Sequence, residues 1–222
     1  MSRIERVSTT ADVVSVNVGG TRTVMLGERP VRTAIWKAPV DGPVRLRGVN
    51  LDGDEQADRE VHGGPDKAVY AYSLEDLAWW TTGLGRPVGP GTFGENLTTQ
   101  GINLTDALVG ERWSVGSTVI EVTQPRVPCY KLGIRMDDRR FPAAFAAAGR
   151  PGAYLRIVSA GSLQAGDPIR VLSRPDHGVT IGLITHAYHS DHRLAERLLD
   201  APELPAPWVR WALHVREVLR TA

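Results

Sequence analysis

The single cysteine of this 222-residue chain, Cys129, sits in QPRVPCYKL at 124–132, one position after Pro128 and between the cations Arg126 and Lys131. An ordinary thiol titrates near about 8.5, and two nearby positive charges favour the thiolate, which is both a nucleophile and a soft metal ligand. With no second cysteine there is no CxxC pair. A lone thiolate suits a transition metal whose other ligands arrive with a cofactor; a zinc site built on it would have to draw histidines from elsewhere. The competing account is a small buried hydrophobe that only packs.

Other motifs invite chemistry with different force. In HGGPDK at 62–67, Gly63 and Gly64 let the backbone turn its amides toward an anion, with Lys67 close behind; the same residues also make an ordinary turn. Asp52, Asp54, Glu55 and Asp58 suggest an oxygen cage, but the twelfth residue from Asp52 is Gly63, not the glutamate of a calcium loop. His186, His189 and His192 in HAYHSDH are spaced for metal ligands. Ser190 and Asp191 read as the cap of a new helix, however, so the three rings straddle a chain reversal. No G-x-S-x-G is present for a hydrolase triad. Of 26 basic residues only Lys37, Lys67 and Lys131 are lysine, leaving 23 arginines. Where lysine persists against that bias, a compact ammonium is favoured over a planar fork, unless chance placed it there.

The elements that must position these groups read as short strands broken by Gly and Pro. Period-two patterning over 14–18, a Gly19-Gly20 turn and an extended 23–26 predict a hairpin, with further strands at 31–37, 44–49 and 68–72. Ser73 caps a short helix ended by Gly83, and FGENLTTQGIN at 93–103 reads as polar and turn-rich. Strands at 113–115 and 118–123 form a hairpin that Pro125 and Pro128 terminate, which leaves Cys129 in the loop beyond. A helix near 142–148 and a hairpin of 153–159 with 168–172 follow. Beyond Pro175 the texture turns helical, with Trp208, Trp211, Ala212, Val215 and Leu219 on one face of the last of three helices.

Composition bounds the class. At 42% hydrophobic and 23% charged, with net charge +1, the chain has no general field for nucleic acid or anionic membrane. No run of about 18 or more apolar residues predicts a membrane span, and the opening residues carry no secretory h-region, so a cytoplasmic location is expected.

HGGPDKAVYAY, FGENLTTQGIN and QPRVPCYKL, in that order and spacing, resemble the MOSC domain, named after the C-terminal region of molybdenum cofactor sulfurase. The similarity is to the bacterial YiiM-like branch, in which a three-helix (3-alpha) tail follows the barrel. It implies a mostly β fold with α additions: a loose N-terminus at 1–12, a MOSC β-barrel domain at 13–174 and a three-helix unit at 175–222. It further implies a molybdenum cofactor, as molybdopterin or a nucleotide form, with Cys129 as the protein ligand to the metal. Amidoxime-reducing relatives reduce N-hydroxylated compounds with electrons from a reductase partner. By that resemblance Lys67, Arg126 and Lys131 bind the cofactor's phosphate or nearby oxygens, with Gly63 and Gly64 in the same turn. Glu95, Asn96 and His62 are candidates for pterin hydrogen bonding or proton delivery. The β-rich N-terminal region that supplies some pterin contacts in those relatives is not evident in this chain. The rival function is a carrier of sulfur or of the cofactor, without turnover, in which Cys129 bears a persulfide.

Overall fold

The structure, a computed structural model, describes residues 11–57 and 63–221. The chain runs β1 (Asp12–Val18), β2 (Arg22–Leu26), β3 (Arg29–Thr33), β4 (Ala38–Pro39), β5 (Val44–Arg47), β6 (Asn50–Leu51), then β7 (Val69–Ser73) and helix α1 (Leu74–Leu84). It continues with β8 (Leu97–Gln100), β9 (Arg112–Val115), β10 (Thr118–Pro125), α2 (Tyr130–Met136), α3 (Phe141–Ala147), β11 (Ala153–Ser159), β12 (Gly161–Leu163) and β13 (Ile169–Ser173). Helix α4 (Ile181–His189), a 3-10 segment (His192–Asp200) and α5 (Ala206–Thr221) complete it. This is the mostly β class with helical additions that the pattern implied.

Eight strands form one sheet in the order β13-β9-β10-β11-β7-β8-β1-β4. The sheet curls until its ends approach: the Val13 N–H donates to the Asp167 carbonyl at 3.0 Å, and the Ile169 N–H to Ala11 at 2.8 Å. Among the described residues a single bridge, between Asp12 and Pro168, joins β1 to the approach of β13, so the barrel expected from the resemblance has no complete closing ladder there.

The predicted hairpin of 14–18 with 23–26 does not form. β1 pairs with β8 and β4, whereas β2 pairs with β3 around Gly27, which takes φ 61°. Gly19 packs its backbone against Trp36; a Cβ there would lie 2.2 Å from the Trp36 carbonyl, and that close approach explains the glycine without any hairpin. A register shift between Val13 and Ser15 also moves the buried face, so Val13 and Val16 enter the core while Val14 does not. The hairpin of 153–159 with 168–172 is likewise replaced: β11 lies between β10 and β7, and β13 pairs with β9. The extended 31–37 stretch ends as a strand at Thr33.

The helix start at Ser73 is as read, with the Ser73 hydroxyl accepting from the Asp76 N–H at 3.1 Å. The helix runs past Gly83 to Leu84, and Gly85 closes it in the left-handed region. β8 follows as the parallel neighbour of β7, a β-α-β connection that sets the residues before both strands at the same end of the sheet. FGENLTTQ was therefore misread as a turn-rich loop: Thr98 and Thr99 are buried in a strand despite their hydroxyls. Beneath α1, α2 and α3 the sheet packs an aromatic cluster of Tyr72, Trp80, Phe93, Phe141 and Phe145, and the C-terminal helices close over Trp208, Ala212 and Val215. The second C-terminal helix is a 3-10 segment capped by Asp191, not an α-helix.

Ser73 supplies the only side-chain cap of α1, so Ser73→Ala is expected to lower the unfolding free energy by about 1 kcal/mol in urea titration, with Ser73→Thr close to wild type.

Candidate functional site

Pro125 ends β10, and the chain then turns across the sheet toward the segment before β8. Arg126 fixes that turn. Its guanidinium donates to the Phe93 carbonyl, lies 5.1 Å from the Tyr70 ring centroid and 6.0 Å from that of Phe145, and is only 8% exposed. Burial acts to lower its pKa, but coupling to Tyr70, Tyr154 and Cys129 outweighs that and holds it above the usual arginine range. Three residues on, Cys129 occupies the position before α2, with its carbonyl accepting from the Leu132 N–H at 2.9 Å. The sequence placed Cys129 in a loop and missed α2. Gly133 within it is required by contact, since a Cβ there would lie 2.9 Å from the Asp138 carbonyl.

Cys129 lines a narrow cavity together with Arg126, Lys131, Lys67 and Lys37. All three lysines of the chain thus converge on its one cysteine. Lys67 is carried by a 3-10 turn (Pro65–Lys67) whose Asp66 is held from both ends: its carbonyl accepts from the Thr123 hydroxyl at 2.6 Å and from Gln124 Nε2 at 3.4 Å, and its carboxylate pairs with Arg156 at 3.1 Å. Lys37 was singled out in the sequence only by its rarity. It forms a buried ion pair with Asp54, their side chains 8% and 3% exposed. Burial pushes the Lys37 pKa down and the Asp54 charge opposes that fall. Asp54 also accepts from the Gly19 N–H at 2.9 Å and from Asn96 Nδ2 at 3.0 Å.

The remaining sequence candidates take different places. Asn96 lines the cavity, but its side chain is committed to structure: Oδ1 accepts from the Tyr70 N–H at 3.1 Å and Nδ2 serves Asp54. Glu95 is fully buried and is not among the residues lining the cavity; it accepts from the Gly91 N–H at 2.6 Å and the Phe93 N–H at 3.0 Å. It therefore braces the turn whose carbonyl receives Arg126. Gly64 has φ 90°, as a tight turn requires, yet its N–H donates to Gln56 Oε1 at 3.2 Å. Gly63 lines a second, larger chamber that also reaches Cys129. His62 lies outside the described residues.

Residues 58–170 match the MOSC domain model, a span of half the chain that includes all three motifs. The chain belongs to the MOSC domain family. It is similar to protein YiiM of Escherichia coli (strain K12), 34% identical over 184 residues that cover 80% of this chain and 82% of that one. A protein of Gibberella moniliformis named "Reductase" is 32% identical over 169 residues, 73% of this chain but 29% of that longer one. Among solved structures, YiiM from Geobacillus stearothermophilus superposes with a TM-score of 0.77 at 29% identity, covering 92% of this chain and 98% of the other. The MOSC motifs coincide with the cavity: one supplies Lys67, one the turn that receives Arg126, and one Arg126, Cys129 and Lys131.

Burial raises the Glu95 pKa from an ordinary 4.5 to about 7, against the pull of the backbone N–H donors of its turn, Gly91 and Phe93 among them, and of Arg126. The folded protein therefore retains this proton in a window where the unfolded chain releases it. The stabilisation is complete below pH 4.5 and is lost as pH rises to about 7. Relative to Glu95→Gln, the wild type is expected to lose roughly 3 kcal/mol across that window in urea unfolding at stepped pH. Parallel profiles would show that Glu95 is ionised throughout.

Proposed function

We propose that the chain is a molybdenum-cofactor-binding oxidoreductase that reduces N-hydroxylated compounds such as hydroxylamines and amidoximes, with electrons from a reductase partner. One observation carries the reading: the only thiol and every lysine of the chain line the same cavity, together with a buried arginine. Among the described residues of the lining, four cationic side chains outnumber two carboxylates, Asp54 and Glu55, and around a thiol that excess asks for a ligand that is both anionic and holds a soft or high-valent metal. A single cysteine supplies one soft bond, so the metal's other soft ligands have to come with its organic group. Molybdopterin, phosphorylated and sulfur-bearing, meets both demands. The reductase-named relative supports the redox side of the reading.

In this reading Cys129 ligates the metal, and Lys67, Lys131 and Arg126 hold the phosphate or nearby oxygens. Lys37 adds positive charge at the wall, held in place by Asp54, and Gly63 and Gly64 belong to the turn that borders the organic group; His62 is kept as a candidate for proton delivery. Glu95 and Asn96 act at one remove, by fixing the Phe93 turn and Asp54. When bound, the cofactor supplies two-electron chemistry: R–NH–OH with two electrons and two protons gives R–NH2 and water. The protein orients that group and keeps its charge compensated. The strand-rich 13–174 segment forms one unit and 175–222 a helical one beside it, and the protein works in the cytoplasm on a small-molecule substrate.

Protein made in a host that synthesises the cofactor is expected to carry molybdenum close to one per chain and to reduce an amidoxime with a chemical reductant. Cys129→Ser is expected to lose about 100-fold or more in rate, since removing groups that only orient a metal's ligands already costs about 10–100-fold. Lys131→Met should keep the fold and lower the retained molybdenum. A wild type that holds a stable persulfide and reduces nothing would replace this reading with the carrier role.

A further inference from the structure

The second chamber, about 530 Å3, is within the range of small-molecule sites and is contiguous with the lysine-lined cavity, since Cys129, Lys67 and Tyr154 line both. Its walls come from two parts of the chain. The stretch around Pro125, Val127 and Pro128 forms one side; Tyr188 of α4, the segment with Pro205, and Pro207, Trp208 and Trp211 of α5 form the other. Among the described residues of its lining only Asp66 and Lys67 are charged, and Asp66 is already paired with Arg156.

The aromatic side is a built corner. Trp208 is 7% exposed, and its Nε1–H donates to Gln124 Oε1 at 2.6 Å, which uses the indole's one donor and fixes the ring. Tyr188 packs edge-on to Trp208 at 5.2 Å and 78°, and Trp211 meets Trp208 at 5.8 Å and 83°. Tyr188 and Trp211 are 5.3 Å apart. Trp208, its one donor used, stands nearly perpendicular to both Tyr188 and Trp211, and the corner offers both stacking and edge contacts to a flat guest.

We propose that this chamber holds a planar, uncharged aromatic body of the substrate, with Trp211 and Tyr188 as specificity-determining residues, so that its N–OH group reaches Cys129 from the chamber side. The proposal rests on the reductase reading for the identity of the reacting group. The helical C-terminal segment is then part of the site, because without it the chamber has one wall. Substrates with a ring are preferred over those that carry the same reacting group on a methyl.

The test pairs benzamidoxime with acetamidoxime on the full chain loaded with cofactor, comparing wild type, Trp211→Ala and Trp211→Phe. Trp211→Ala is expected to raise the benzamidoxime KM about tenfold, as for a lost aromatic stacking contact, and to leave acetamidoxime within about twofold; Trp211→Phe restores most of the preference. Molybdenum content stays at the wild-type level in all three. In parallel, tryptophan fluorescence is titrated with benzamidoxime without reductant, and Trp211→Ala weakens the quench by a similar factor. Equal KM changes for both amidoximes, lost molybdenum in Trp211→Ala, or no benzamidoxime quench in wild type each overturn the proposal. If benzamidoxime binds in a Trp211-dependent way but neither amidoxime is reduced, the chamber stands and the reductase reading falls. Reduction that is indifferent to Trp211 does the reverse.

Discussion

A guanidinium removed from water has to find acceptors and electron-rich surfaces, and the way Arg126 does so holds the site together. Its hydrogen bond goes to Phe93, ahead of β8, and its face looks onto Tyr70 of β7 and Phe145 of α3. Three elements distant in sequence are thereby tied to the residue that leads into Cys129. The thiol's location follows from that fastening as much as from the strand break at Pro125. Glu95 supports the same joint from behind, because the two N–H groups it accepts belong to the turn that presents the Phe93 carbonyl.

Around this joint the chain gathers positive charge that would repel itself without compensation. Lys37 has a carboxylate partner of its own, and Asp54 is in turn aligned by Asn96 and by the Gly19 backbone. Lys67 is fixed through the grip of Thr123 and Arg156 on Asp66. Such an arrangement suits a ligand that brings several negative charges and a soft metal together. The aromatic chamber on the other side of Cys129 has the opposite character, and the thiol lies at the boundary between a charged and an apolar environment.

Much of this was legible in the sequence, for reasons that differ from residue to residue. Cys129, Arg126, Lys131 and Lys67 were readable because local composition betrayed them: one cysteine flanked by cations, and a lysine behind paired glycines. Ser73 was readable because a cap acts within three residues. Lys37 was marked only by rarity, since its partner Asp54 is 17 positions away and no local rule joins them. β8 was missed because threonines buried by their neighbours look polar in isolation, and α2 because nothing in its sequence caps it. Both failed hairpins share a cause. Strands adjacent in sequence were paired with each other, while the sheet places β8 beside β1 and β11 beside β7. The aromatic corner, assembled from α4, α5 and Gln124, depends on long-range packing that period and composition do not encode.

X-ray absorption at the molybdenum edge, on cofactor-loaded wild type beside Cys129→Ser reconstituted with the same cofactor, addresses the central claim most directly. The account predicts that the wild-type metal has one more sulfur neighbour than the variant's, and that the extra sulfur is restored when cysteine is restored. Identical sulfur coordination in the two proteins would contradict it and return Cys129 to the ranks of residues that merely pack.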